Sequence, residues 1–421
     1  MATRRRTFLT ALAGIAVVGG GYSQRRRIQR RDDVAAIGAA LEIDRPTPEA
    51  AVSVRPEHAT AAHERASGHV TGTERLRSSE SGDGDRDDDA LEEARQELDE
   101  YAPETLEGDG ARLEALDAYR LAIARSATVR GRLYGDGRGN PSPELRRRID
   151  SLEADLGAFE PAYSGGEIPE TIVQCAEADE RYRNARSDLE AAVRMADGEE
   201  YANDVAWEQA AVGSTRLYDA RQFLRDREGP DRTDALGSAF DRLTGTIAEA
   251  IDGMEWRYDD AHASYPATRF RDAGLAERAD PQRDPGPGRL ASAVRSRARQ
   301  ATVAVTLGRF GDVPARSHWE ELGYELGTAA GTVSEARAAA VGAIEATADA
   351  VGSDPLARWL LSDILGTVAS ADRRLSRLAD DPNAGNERWW TTRYDRSVLE
   401  YRAAEAESEA IPTVLARIEG R

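Results

Sequence analysis

The chain contains no lysine, so all 56 of its basic residues are arginine. It has one cysteine, five histidines and only 6% aromatic residues among 421 positions. The single Cys175 excludes an intramolecular disulfide framework and any cysteine-rich zinc site. No Gly-x-Ser-x-Gly and no His-Glu-x-x-His occurs, which removes the commonest hydrolase and zinc-protease signatures. The one Asn-x-Ser/Thr stretch, Asn140-Pro141-Ser142, is blocked for glycosylation by its proline. No segment alternates apolar and polar residues with β-branched enrichment, so no sheet is expected.

What is present in excess is acid. There are 76 Asp and Glu, and the net charge is −20. The first 31 residues hold eight of the arginines and no acid, so the remainder carries 48 arginines against 76 acids, a net charge of −28. Such a body repels itself in dilute buffer. At molar salt the Debye length falls to about 3 Å and the repulsion is screened. Nucleic-acid binding needs a basic face and is not expected of this body.

The N-terminus carries Arg4-Arg5-Arg6-Thr7-Phe8-Leu9-Thr10, followed by an uncharged run to Gln24. Arg5, Arg6, Phe8 and Leu9, with the Ala-, Val- and Gly-rich run behind them, resemble a twin-arginine export signal. Acid excess without lysine is similar to the composition of haloarchaeal proteins, many of which leave the cell folded by that route. The resemblance implies a twin-arginine translocase as partner during export and an extracytoplasmic address. The uncharged run would span roughly 27 Å as a helix, marginal for a bilayer. Cleavage near Gly19-Gly20-Gly21, retention as a membrane anchor, and a cytoplasmic body held by the basic flank Arg25–Arg31 all remain open. Export is the expectation.

Four segments follow from composition. Residues 1–31 form the signal or anchor, and 32–88 a low-order acidic neck. Residues 89–280 form a helical bundle, and 289–421 a second sub-bundle or its continuation. Within the neck, Asp32–Ile43 and Pro56–Ala66 are read as short helices. The run Ser78–Asp89 has nothing apolar to bury and reads as disordered. Beyond it the signal is helix after helix. Leu145, Ile149, Leu152, Leu156 and Phe159 recur at helical spacing behind a Ser142 cap and Pro143. Leu236, Phe240, Leu243, Ile247, Ile251, Met254 and Tyr258 do the same, as do Leu356, Leu360, Ile364, Val368, Ala371, Leu375 and Leu378. Alanines at 298, 301, 330, 340 and 348 suggest close, thin seams between long helices. The expected fold is all-α, an elongated antiparallel helical bundle of one or two sub-bundles behind a disordered acidic neck.

Few residues suggest chemistry. Glu255, Asp259 and His262 share one helical face and are the weak candidates for a metal, although the second acid-x-x-His pair of a di-metal site is missing. His58, His63 and His69 are five and six apart and are read as not sharing a face. Asp83–Asp89 resembles a calcium loop that lacks its glycine and its bidentate glutamate. Gly135–Asn140 precedes a helix start, where anions bind, but follows no strand. Trp319-Glu320-Glu321-Leu322-Gly323 resembles the opening of a tetratricopeptide repeat that does not continue. Cys175 falls in a core stripe. No cofactor is expected. The expected function is a non-enzymatic extracytoplasmic structural or protein-interaction module, acting through a protein partner or self-association. It would be membrane-held if the signal is uncleaved. The alternative is a solute- or metal-binding module with a pocket between helices.

Overall fold

The computed structural model describes residues 31–47, 50–79, 85–134, 141–197, 202–225, 227–252, 288–309, 332–381 and 387–420. These residues form twelve α-helices and no strand: α1 (Arg31–Leu41), α2 (Pro56–Ser78), α3 (Asp85–Glu100), α4 (Gly108–Leu133), α5 (Pro143–Gly157), α6 (Ile168–Asp197), α7 (Asn203–Leu224), α8 (Thr233–Ile251), α9 (Leu290–Arg309), α10 (Thr332–Val351), α11 (Pro355–Asp380) and α12 (Glu387–Glu419). The one β-type pairing among the described residues is an isolated bridge between Ser164 and Asp231. The all-α expectation holds.

The strong stripes become the core. On α11, Leu356, Leu360, Ile364, Val368, Ala371, Leu375 and Leu378 are all buried, and on α8 so are Leu236, Leu243, Ile247 and Ile251. Phe240 is only partly buried, and its ring lies under the Arg297 guanidinium at 5.2 Å. Ser142 caps α5 as its sequence suggests, its hydroxyl accepting from the Leu145 amide at 3.2 Å behind Pro143. Leu145, Ile149, Leu152 and Leu156 are buried on that helix. The alanine seams hold at Ala298, Ala301 and Ala340, which are fully buried, but Ala348 is exposed near the end of α10. Ala330 lies outside the described residues.

The neck is where the expectation of low order fails. Helix α2 runs twelve residues past Ala66 and packs on α4, burying His58, Ala59, Ala62, Ala66, Val70 and Thr73. The acidic run Asp85–Asp89 starts α3 rather than a loop. Leu91, Ala94 and Leu98 supply a narrow apolar stripe against α4, while Arg77 reaches Asp88 at 3.4 Å and Arg132 reaches Asp87 at 2.8 Å. Carboxylates in a first turn also favour the helix dipole. Helix α1 returns to the C-terminal half: Arg337 of α10 donates to the Ala40 carbonyl at 2.9 Å and the Ile43 carbonyl at 2.6 Å, and pairs with Asp372 of α11 at 2.9 Å. Ile37 of α1 is fully buried.

Helices α2 to α7 pack as neighbours, with α7 between α4 and α6 and with α5 laid on α6 and α7. Helices α8 to α12 with α1 form the other half, and α9 joins the two by packing on α6 as well as on α8 and α12. Helix α8 thus packs across the Pro-Gly-rich stretch that follows it in sequence. Two other breaks are stitched to each other. The Arg232 amide donates to the Tyr163 carbonyl at 2.8 Å and the Gly165 amide to the Pro230 carbonyl at 3.3 Å. Gly229 allows this with a φ of 131°; a Cβ there would stand 2.6 Å from the Gly165 oxygen.

Candidate functional site

Helix α2 begins at Pro56, whose ring suits the first helical turn, and it places three histidines along the bundle. Against the reading that the three do not share a face, His58 and His69 are eleven residues apart, close to three full turns, and both meet the helices beneath. His63 lies between them, edge-on to Tyr119 at 5.2 Å.

At the first turn, His58 is 2% exposed and its Nε2 lies 3.0 Å from Asp219 Oδ1 on α7. The other Asp219 oxygen is 3.5 Å from Arg181 of α6, and Arg181 also reaches Glu177 at 3.1 Å and Asp117 of α4 at 3.7 Å. Phe223 is shared, its ring edge-on to His58 at 5.1 Å and beneath Arg181 at 5.4 Å. Each base therefore faces a carboxylate within one cluster that joins four helices. A pocket of about 420 Å³ opens above it, lined by Ser53, Arg55, His58, Gln174, Arg227 and neighbours. Its arginines are engaged: Arg55 donates to the Gln222 carbonyl at 3.2 Å, and Arg227 to the Ser164 carbonyl at 2.8 Å. A carboxylate-held imidazole is the arrangement general bases use. Here Asp219 occupies one ring nitrogen. Ser53, the hydroxyl lining the same pocket, makes no hydrogen bond to His58 among the described residues.

An open groove of about 600 Å³ lies between α3, α4 and α7, walled by Glu97, Glu100, Glu114, Asp117 and Glu208 with Arg120 and Arg216. Many of these charges are already used. Glu97 meets Arg125 at 2.5 Å, Arg216 meets Asp188 at 2.6 Å, and the Tyr101 hydroxyl donates to Glu114 at 3.0 Å. Among the described residues no group of three His, Cys, Asp or Glu is placed to hold a metal.

Asp179 of α6 is a third buried carboxylate. It accepts from the Ser292 amide at 3.0 Å in the first turn of α9 and from the Tyr163 hydroxyl at 3.2 Å, so it caps one helix from another. Burial pushes its carboxyl up to about 6 in spite of those donors. Cys175, one turn before it, is fully buried, and burial drives its thiol up to about 12, which suits a core residue rather than a nucleophile.

Glu255, Asp259 and His262 lie outside the described residues, as do Arg5, Arg6, Phe8 and Leu9, the Trp319 motif and Gly135–Asn140. Of the calcium-like run, Asp85–Asp89 stand in α3 and the rest lies outside. The His58 cluster was hidden in sequence because its partners are 123 and 161 residues away. The one available hint was the three-turn spacing of His58 and His69.

A family model described as "Domain of unknown function (DUF8264)" matches residues 179–420, more than half of the chain. The chain belongs to the DUF8264 family. The family segment opens at Asp179 in mid-α6 and carries Arg181 and Asp219, whereas His58 and His69 precede it. No curated protein and no solved structure matches the chain. No described helix is long and apolar enough to cross a membrane.

Proposed function

We propose that this protein is a non-enzymatic, extracytoplasmic structural or protein-interaction module of a halophile. The observation that carries the reading is how the charged residues are used. Buried ones tie helix to helix, as at His58–Asp219–Arg181, Arg337–Asp372 and Arg374–Glu400, the last pair 2.6 Å apart. Others line the open groove between α3, α4 and α7, whose acidic and basic walls suit a broad polar partner surface better than a small apolar molecule. The Arg5-Arg6-x-Phe8-Leu9 signal supports the address, with the twin-arginine translocase as the export partner. If the signal stays uncleaved, the N-terminus tethers the body to the membrane. The −28 body supports the salt habit.

The test has two arms in the native host. Protease added to intact cells should digest the body of the wild type and spare it when Arg5 and Arg6 are both changed to Lys. Photo-crosslinkers placed at Glu100 and Glu114 should give a discrete adduct on the cell surface that Glu97→Arg with Asp117→Arg abolishes. A body that protease never reaches, or a groove that crosslinks to nothing, would sink the reading. In solution, helical circular dichroism should persist in molar KCl and decline well below it. Full structure in dilute buffer would remove the halophile part.

A further inference from the structure

Three turns beyond His58, the charge balance of the first cluster is absent. The His69 Nδ1 lies 2.6 Å from Ser126 Oγ, and its Nε2 is sealed from solvent with no hydrogen-bond partner. Around it stand three arginines from three helices: Arg65 of α2, Arg130 of α4 and Arg148 of α5. All three push the ring toward its neutral form, after burial, to about 3. Arg130 and Arg148 lie over the Trp207 ring at 5.9 and 5.0 Å, and Tyr134 stacks on the same indole at 5.3 Å. The Arg130 tip rests where α2 has no side chain, since a Cβ on Gly72 would come within 2.9 Å of its Nη2.

The carboxylates near these arginines are divided with others. Glu144 is 3.5 Å from Arg148 but 2.5 Å from Arg147, and Asp155 is paired with Arg221 at 3.0 Å. Arg130 has no carboxylate partner among the described residues. Four buried nitrogens in this one place lack a hydrogen-bond partner: His69 Nε2, Arg130 Nε, Arg148 Nε and Trp207 Nε1. An acid-rich chain that sets two under-paired guanidinium groups, Arg130 and Arg148, beside a third at the rim bears a local cost unless an anion joins them.

We propose that Arg65, Arg130 and Arg148 form a binding site for a phosphate-type oxyanion between α2, α4 and α5, with His69 as its inner wall. Planar guanidinium forks match tetrahedral oxyanions two donors at a time, and a dianion is neutralised by two of the three. Arg65 is the exposed member at the rim, where it donates to Ser214 Oγ at 2.8 Å and lies over the Tyr218 ring at 5.1 Å. Such an anion relieves repulsion between arginines that the protein alone leaves opposed, and by linkage it stabilises the folded chain. The site lies N-terminal to the DUF8264 segment.

The test uses the full body in KCl at fixed ionic strength, titrated with inorganic phosphate against acetate and additional chloride. Calorimetry should give saturable phosphate binding that Arg130→Gln or Arg148→Gln weakens at least tenfold, with a smaller loss for Arg65→Gln at the exposed position. Arg→Lys should recover part of the affinity, because charge returns without the fork. In the wild type, phosphate should move the His69 ring resonances and raise their titration midpoint. That readout needs no variant to fold. Vesicles containing an anionic phospholipid form a second arm. Binding that appears only there, and is lost in the same variants, keeps the site and assigns the phosphate to a headgroup. Phosphate that acts no differently from chloride, leaves His69 unmoved, or binds the variants as tightly as the wild type overturns the proposal.

Discussion

The two ends of α2 make a controlled comparison. His58 and His69 sit on one face of one helix, the first against α7 and the second against α4. The first is met by one carboxylate, Asp219, which is 1% exposed and is itself met by the Arg181 guanidinium. The second is met by a hydroxyl and three guanidinium groups. The first cluster is complete within the protein and reads as a joint. The second is complete only with an added negative charge and reads as a site. Burial alone, complete at His58 and partial at His69, does not say which end is joint and which is site. Local charge balance does.

The largest effect should come from unbalancing the balanced end. Asp219→Ala leaves both His58 and Arg181 without their shared acceptor inside the core. Removing one partner of a buried pair costs about 3–5 kcal/mol, readable as a fall in the denaturation midpoint. A loss below 1 kcal/mol would mean that the cluster is not a joint. Next comes an apolar yardstick from the other half of the bundle. Leu243→Ala or Ile364→Ala, at side chains 0% and 2% exposed, should cost about 2–5 kcal/mol. If Asp219→Ala proves cheaper than both, packing alone holds the N-terminal half.

The third prediction uses pH at the unbalanced end. The folded protein holds the His69 ring down at about 3, below its ordinary 6.5. A depressed folded value contributes stability that is present above pH 6.5 and is lost as pH falls toward 3. His69→Gln should therefore show a shallower loss across that window than the wild type, measured by urea unfolding at stepped pH. Identical slopes would place the ring outside the arginine field. The smallest effect should be Arg148→Gln in phosphate-free buffer. Losing a cation–π contact is offset by relief of repulsion, so stability should change by no more than about 1 kcal/mol in either direction. That near-neutrality beside a large Asp219→Ala effect is the sharpest form of the comparison. A loss as large as that of Asp219 would erase it.

Sequence by itself determined the helical class and much of the apolar core. Stripes with a steady three-four step, as on α8 and α11, bury the same residues in any bundle because helical periodicity leaves only one apolar face. It also determined the Ser142–Pro143 start of α5, since capping is a contact between residues three apart. It failed on α3. Three small or medium apolar residues among acids do not announce a helix, and their burial needs α4, with Arg77 and Arg132 supplying charge from α2 and α4. The tertiary structure alone decided which charges meet. Asp219 and Arg181 lie more than a hundred residues from His58, and Arg130 and Arg148 lie more than sixty from His69. Periodicity fixes which face of a helix turns inward. What that face finds there depends on how distant helices stack, and charge balance is a property of the stack.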